Sequence, residues 1–153
     1  MQKFDRLVQL TGSSAKDLQN SANARVAYSR LAELNRMAGK NEEAIRMFLK
    51  LNEALPNQVA YIKNLAITHV AAKQYEQAVL ILKRVIAGVT PGSDSWFEAK
   101  LLLAECLHST DQTEDARKLI RQTIRLGGDM PADWQARFEA LKNRMDQSLI
   151  QKN

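Results

Sequence analysis

The sequence predicts an all-α protein in which antiparallel helix pairs are stacked in series. A Leu-Ala dipeptide recurs after 34 residues and again after 38, and a lone alanine follows it twelve residues later in every copy. The recurring positions are Leu31-Ala32, Leu65-Ala66 and Leu103-Ala104, and then Ala44, Ala78 and Ala116. The chain has only 3 prolines and 6 glycines, and most of these lie where a helix is expected to end.

The alanines are expected at the points where two helices cross closely, because a larger side chain there would push the helix axes apart. The third copy follows after four extra residues, and these fit in the loop around residues 87–94, where an insertion costs little. Each copy is therefore expected to contribute one pair of helices.

The pattern resembles the tetratricopeptide repeat (TPR) family over residues 25–128. The first copy carries Tyr28, Leu31-Ala32, Gly39, Ala44, Phe48 and Pro56, and the second carries Ile62, Leu65-Ala66, Tyr75, Ala78 and Leu82. The third departs from the pattern, with Lys100 at a position that is usually large and apolar and Gly128 where proline is usual. The resemblance implies a right-handed α-α superhelix, a TPR-like solenoid, whose concave face binds proteins or peptides.

We expect residues 1–153 to form a single repeat domain. Its predicted parts are an N-terminal helical segment 1–24, repeats at 25–57, 58–91 and 95–128, and a capping helix at 131–150. Trp134, Phe138, Leu141 and Met145 form one apolar stripe on that last helix, which is expected to cover the open end of the array.

The N-terminal segment has two interpretations. Phe4, Leu7 and Leu10 resemble the second helix of a repeat whose first helix is missing, as in a fragment of a longer bacterial TPR protein; an ordinary N-terminal cap helix fits equally well. From a Ser14 N-cap to Ala38 we expect one long helix, or two with a break near residues 20–23. Further along, Ser95 and Glu98 have the capping-box spacing that starts the third repeat.

Composition excludes several function classes. The net charge of +5 comes from basic residues that are spread over helix faces without interleaved aromatics, which argues against a nucleic-acid partner. No apolar run approaches the roughly 18 residues that a membrane span needs, and the first residues lack the apolar core of a signal peptide. We therefore expect a cytoplasmic chain with no membrane partner, and a single cysteine, Cys106, that is a packed thiol.

No catalytic or metal-binding motif is present, so we expect neither an enzyme nor a cofactor nor a metal site. The two histidines lie on different predicted helices. His69 falls at a packed position of the repeat and is expected in the core, whereas His108 is expected in solvent near a groove.

The functional surface is expected on the first helix of each pair, about a quarter turn from the packing stripe. Ile67 and Val70 are its most informative members, since neighbouring exposed apolar groups mark contact surfaces; the alternative is that the N-terminal helix buries them. The predicted groove residues are Ser29, Glu33, Arg36, Met37, Lys63, Ile67, Val70, Leu101, Glu105 and His108.

These observations predict a protein–protein interaction scaffold that holds a peptide or partner segment by apolar side chains, without catalysis. The alternative is a secretion-type TPR chaperone that keeps an unfolded client segment in the groove and forms a homodimer through its N-terminal helix.

Overall fold

The computed structural model describes residues 14–152, and these residues form eight α-helices and no strand. Contacts divide the chain between Gln74 and Tyr75 into an N-terminal and a C-terminal unit. The N-terminal unit contains α1 (Ala15–Asn20), α2 (Ala22–Met37), α3 (Asn41–Ala54) and α4 (Val59–Ala71). The C-terminal unit contains α5 (Tyr75–Gly88), α6 (Asp94–Ser109), α7 (Thr113–Leu126) and α8 (Ala132–Lys152). The all-α prediction is confirmed, whereas the helix predicted around Phe4, Leu7 and Leu10 lies outside the described residues.

The segment from Ser14 to Ala38 is interrupted once, at Ser21, as the two-helix interpretation predicts. Ser21 has an extended backbone, and its hydroxyl accepts a hydrogen bond from the Ala24 amide at 3.2 Å, which caps α2. Arg25 donates to the Leu18 carbonyl at 2.8 Å and to the Gln19 carbonyl at 3.0 Å. These bonds satisfy carbonyl groups that the end of α1 leaves without helical partners.

Three turns, between α2 and α3, between α4 and α5, and between α6 and α7, are built in the same way, each around one residue with a left-handed backbone. These residues are Gly39 (φ 77°), Lys73 (φ 58°) and Asp111 (φ 59°). In each turn, the amide that follows donates to a carbonyl five residues earlier, at 2.8 to 2.9 Å, as in a Schellman helix end. The turns are 34 and 38 residues apart (39 to 73, and 73 to 111), which confirms the repeat spacing.

The recurring alanines are fully buried. Ala32 and Ala44 lie in the packed pair α2–α3, and Ala104 and Ala116 lie in the packed pair α6–α7, all with no exposed surface. Ala66 and Ala78 are equally buried in their own helices. Complete burial of a small residue is what a close helix crossing requires in the pairs α2–α3 and α6–α7.

The third repeat begins with a different cap from the predicted one. Ser93, not Ser95, is the N-cap of α6, and its hydroxyl accepts from the Trp96 amide at 3.3 Å. The left-handed Gly92 (φ 84°) turns the chain just before it, so the helix starts at Asp94 and Ser95 is already inside the first turn. The capping box predicted at Ser95 and Glu98 is therefore wrong, because the N-cap lies two residues earlier, at Ser93.

An aromatic cluster forms the core of the C-terminal unit. Its members are Trp96, Phe97, Ala104, Ala116, Ile120, Trp134, Phe138, Leu141 and Met145. Phe97 lies at its centre, with ring centroids 5.2 Å from Trp96, 5.8 Å from Trp134 and 6.5 Å from Phe138. The four apolar residues predicted as one stripe on the last helix are all buried, so α8 packs on this unit through that stripe.

Lys100, which departs from the repeat pattern, is accommodated beside the cluster. Its ammonium lies 5.1 Å from the centroid of the Trp96 ring, and burial lowers the pKa of Lys100. The aliphatic part of the side chain thus occupies the usual apolar position, while the charge rests on an aromatic face.

Polar contacts fix the position of α8 on its unit. Trp134 donates its indole N–H to Asp94 at 2.8 Å, and Arg117 binds Asp146 at 2.6 Å. Two longer ion pairs join Arg144 to Glu105 at 3.4 Å and Lys152 to Asp111 at 3.6 Å. The directional bonds set which turn of α8 meets which turn of α6 and α7, whereas apolar burial alone would allow the helix to slide.

We predict that Ala78→Leu lowers the free energy of unfolding by about 1–3 kcal/mol, because the added atoms have no space in a fully buried site. Thermal unfolding measured by circular dichroism will report the loss. The matched control is Ala87→Leu on the same helix, where the side chain is exposed and the stability should stay unchanged. Equal melting temperatures for the two variants would show that the alanine position is not a close crossing.

Lys73→Gly is expected to raise the free energy of unfolding by about 0.5–1 kcal/mol. A side chain in the left-handed region is strained, and glycine removes that strain at a cost in chain entropy. Lys83→Gly in the exposed part of α5 should lower stability by about 1 kcal/mol. Urea unfolding will measure both, and a loss of stability in Lys73→Gly would contradict the proposed strain.

Candidate functional site

The outward side of α2 carries large side chains that are accessible to a partner. The buried residues of α2, among them Tyr28, Leu31 and Asn35, lie on one side of the helix. Val26 and Met37, on the opposite side, are 71% and 75% exposed. This face of α2 therefore presents accessible apolar surface near both of its ends.

An open depression of about 470 Å³ lies beside this surface in the N-terminal unit. It is lined by Val26, Ser29, Arg30, Glu33 and Tyr61, so it lies between α2 and the first turn of α4. Arg30 forms an ion pair with Glu33 at 3.3 Å along its edge. The depression has an aromatic ring and a valine for apolar contact and two opposite charges for orientation, which is the composition of a site for a protein segment.

The remaining predicted residues of the N-terminal unit are only partly accessible. Ser29, Glu33 and Arg36 on α2 are half-buried, as are Lys63, Ile67 and Val70 on α4, whereas Met37 is exposed. The buried residues of α4 are Leu65, Ala66, Thr68 and His69, so Ile67 and Val70 do not belong to its packing side. They keep accessible apolar surface, and their role in binding stays a prediction.

The three predicted residues of the C-terminal unit have partners within that unit. Leu101 packs against the aromatic cluster, Glu105 accepts from Arg144 at 3.4 Å, and the ring of His108 is hydrogen-bonded to Thr113 at 3.0 Å. Their side chains are half-buried. A partner that uses these residues would have to compete with existing contacts, whereas the depression of the N-terminal unit is open.

His69 is a core histidine, as expected. It is 8% exposed, and its Nδ1 lies 2.8 Å from Oε1 of Gln74. The amide group of Gln74 in turn donates to Glu42 at 2.7 Å. Since a side-chain amide oxygen only accepts, Nδ1 of His69 carries a proton, and the chain of bonds ties the end of α4 to the first turn of α3.

A second depression, of about 540 Å³, surrounds the turn between α2 and α3. It is lined by Asn35, Gly39, Lys40, Asn41, Glu42, Glu43 and Arg46. Lys40 is the N-cap of α3, and no side chain caps that helix. The lining is almost wholly polar and includes the Glu43–Arg46 ion pair, which leaves no apolar anchor for a peptide.

Within residues 14–152 no group of three or more His, Cys, Asp or Glu side chains is placed to hold a metal ion. Cys106 is buried, and burial together with the nearby Glu105 carboxylate raises the pKa of its thiol to about 11. A thiol with this pKa is protonated at neutral pH and is a poor nucleophile. Cys106 is therefore a structural thiol of the C-terminal unit.

Sequence reasoning did not find Val26, Arg30 and Tyr61, although they line the depression. The groove residues were predicted about a quarter turn from the packing stripe of each helix. The most exposed side of α2 instead lies opposite its packing stripe. The spacing of Val26, Arg30, Glu33 and Met37, by four, three and four residues, places them on one face and was the available signal. Nothing in the spacing of α4 alone indicates that Tyr61 would lie near α2.

Residues 14–152 fold into antiparallel α-helices that pack in pairs within each unit. This is the fold class of TPR-like helical proteins. No protein-family model matches the chain, and no curated protein matches it.

Solved structures with TPR-like helical folds are similar to this chain. The type III secretion translocator chaperone SycD of Yersinia enterocolitica, in an alternative dimer, has a TM-score of 0.65 and 18% identity over 81% of this chain and 96% of that one. SycD in complex with a peptide of the translocator YopD has a TM-score of 0.64 with the same identity and coverage. The MamA RS-1 ArsTM double mutant has a TM-score of 0.60 and 17% identity over 97% of this chain and 95% of that one. Likeness at this identity establishes the shared fold.

In the part of the chain that the structure describes, no helix combines the length and the apolar character needed to cross a lipid bilayer.

We predict that Cys106 does not react with a thiol reagent such as DTNB in the native protein. Its burial excludes the reagent, and its raised pKa keeps the thiolate population very small at pH 8. The same protein in concentrated urea should release one equivalent of the coloured product rapidly, which serves as the control. Rapid reaction of the native chain would show that the thiol is accessible and that its proposed structural role is wrong.

Proposed function

We propose that this chain is a TPR-type binding module that holds a segment of a partner protein on the α2–α4 face of its N-terminal unit, without catalysis. The observation that carries the proposal is the open depression lined by Val26, Ser29, Arg30, Glu33 and Tyr61. Met37 extends the accessible surface on α2, and Ile67 and Val70 extend it on α4. A tyrosine with aliphatic neighbours is the kind of anchor that dominates binding energy at protein interfaces.

The charge of the chain favours a partner segment with a negative net charge. Residues 1–74 carry 11 Lys and Arg against 6 Asp and Glu, whereas residues 75–153 carry 11 of each. The whole excess of positive charge thus belongs to the part of the chain that contains the depression. Complementary charge speeds association and orients a segment that apolar groups then anchor.

A secretion-type chaperone is the second candidate, and the specific observation in its favour is the likeness to SycD. That protein has been solved with a peptide of the translocator YopD, and in an alternative dimer. In this version of the proposal the segment held on the α2–α4 face belongs to an unfolded client. In both versions of the proposal, the chain lies in the cytoplasm and has no nucleic-acid or membrane partner.

The proposal is tested by selecting peptides of about 15 residues from a random display library on the purified chain. We expect enrichment of apolar residues together with Asp and Glu, and binding of a fluorescent selected peptide measured by anisotropy. Tyr61→Ala and Ile67→Glu should each weaken that binding at least about tenfold, because hot-spot truncation or a charge at an apolar contact costs more than about 1.4 kcal/mol.

Leu49→Glu is the matched control, since Leu49 is an exposed apolar residue on α3 in the same unit. It should leave peptide affinity unchanged. The melting temperature of Ile67→Glu is measured in parallel, and a large decrease would mean that Ile67 belongs to the core. Unchanged affinity in both variants would remove the α2–α4 face from the proposal.

A longer client distinguishes the two candidates. A chaperone should keep a selected, aggregation-prone client fragment in solution at equimolar ratio, measured by light scattering, and the Tyr61→Ala variant should fail to do so. A scaffold that only docks a folded partner would bind the short peptide without suppressing aggregation.

A further inference from the structure

The exposed face of α2 has a pattern that is complementary to itself. Val26, Arg30, Glu33 and Met37 fall within about 60° of one another around the helix, on the side opposite the core. Read along the helix, they are an apolar residue, a cation, an anion and an apolar residue. Val26 and Met37 are separated by about 16.5 Å along the axis at 1.5 Å per residue.

When this row is placed beside an antiparallel copy of itself, each apolar residue meets an apolar residue and each charge meets the opposite charge. A two-fold axis between Arg30 and Glu33 places Val26 against Met37 of a second copy, and Arg30 against Glu33 of that copy. Arg30 and Glu33 are the charged residues of this row, so the antiparallel arrangement opposes no like charges along it. A parallel arrangement would instead place Arg30 beside Arg30 and Glu33 beside Glu33.

We infer that two copies of this chain associate through an antiparallel pairing of their α2 faces. The contact would be formed by Val26, Arg30, Glu33 and Met37 of each copy. Both apolar residues are more than 70% exposed, and the side chain of Arg30 is 66% exposed, so a second copy reaches them without any rearrangement of the fold.

Charge placement is what selects a second copy as the occupant of this face. Arg30 and Glu33 already form an ion pair at 3.3 Å within one chain. Across the two-fold axis the four charges alternate in sign, so each cation has two carboxylate neighbours and each carboxylate has two cations. An unrelated helix would need this same arrangement of apolar and charged residues, whereas the chain itself supplies it by symmetry.

The contact has the size of a weak interface. One helix face of about three turns is smaller than the roughly 800 Å² per partner of a standard stable interface. Association is therefore expected to depend on protein concentration and to weaken as salt screens the charges. This location differs from the sequence expectation of a homodimer through the N-terminal segment 1–24.

Charge exchange between copies tests the inference. Arg30→Glu places Glu against Glu33 of an identical copy, and Glu33→Arg places Arg against Arg30, so each variant alone should associate at least about tenfold more weakly than the original chain. Mixed together, the two variants restore an opposite charge at every pair. The equimolar mixture should therefore form a heterodimer, measured by sedimentation velocity with one variant carrying a fluorescent label.

Arg84→Glu on α5 is the control, since this exposed arginine lies outside the face and should leave association unchanged. Circular dichroism of each variant verifies that the fold is kept. A wild-type chain that stays monomeric at all attainable concentrations would overturn the inference. So would self-association that Arg30→Glu does not weaken, or single variants that fail to associate with each other.

The readout is separate from that of peptide binding, because self-association is measured without any peptide, whereas Arg30 and Glu33 also line the depression. The two surfaces share Val26, Arg30, Glu33 and Met37, so bound peptide and a second copy should compete. Raising the chain concentration would then lower the apparent peptide affinity of the wild type, whereas Arg30→Glu would remove this dependence on concentration.

Discussion

The close crossing of paired helices at alanine is the constraint on which the rest of the structure depends. Ala32 and Ala44 in one pair, and Ala104 and Ala116 in another, have no accessible surface at all. Because the two helices of a pair approach so closely, the turn between them must reverse direction within a few residues. The left-handed residues Gly39 and Asp111 provide that reversal in the pairs α2–α3 and α6–α7.

The fold class and the repeat spacing could be predicted from the sequence because both depend on local, periodic features. Three features of the sequence each indicate one structure: alanines at fixed spacing, few helix breakers, and an apolar stripe on the last helix. The stripe consists of Trp134, Phe138, Leu141 and Met145. The residues that cap the helices were harder to predict. Ser93 and Ser95 are both acceptable cap residues, and the choice between them depends on the turn at Gly92, which spacing does not reveal.

The candidate site was only partly predictable for a different reason. Whether a residue beside the packing stripe is open to solvent depends on helices far away in sequence. Leu101 and Glu105 meet the core and the ion pairs that α8 brings, whereas Ser29 and Glu33, in similar positions of the first repeat, line a depression. The position of Tyr61 beside α2 depends on how two helices pack, and that information is absent from the pattern of either helix.

The tryptophans are distributed unevenly between the two units, and this has a practical consequence for spectroscopy. Both tryptophans of the chain, Trp96 and Trp134, lie in the aromatic cluster of the C-terminal unit. Intrinsic tryptophan emission therefore reports only on that unit, while far-ultraviolet dichroism averages over every helix. Denaturation curves recorded with the two probes would coincide if the chain unfolds as one cooperative body and would separate if its two units lose structure at different denaturant concentrations.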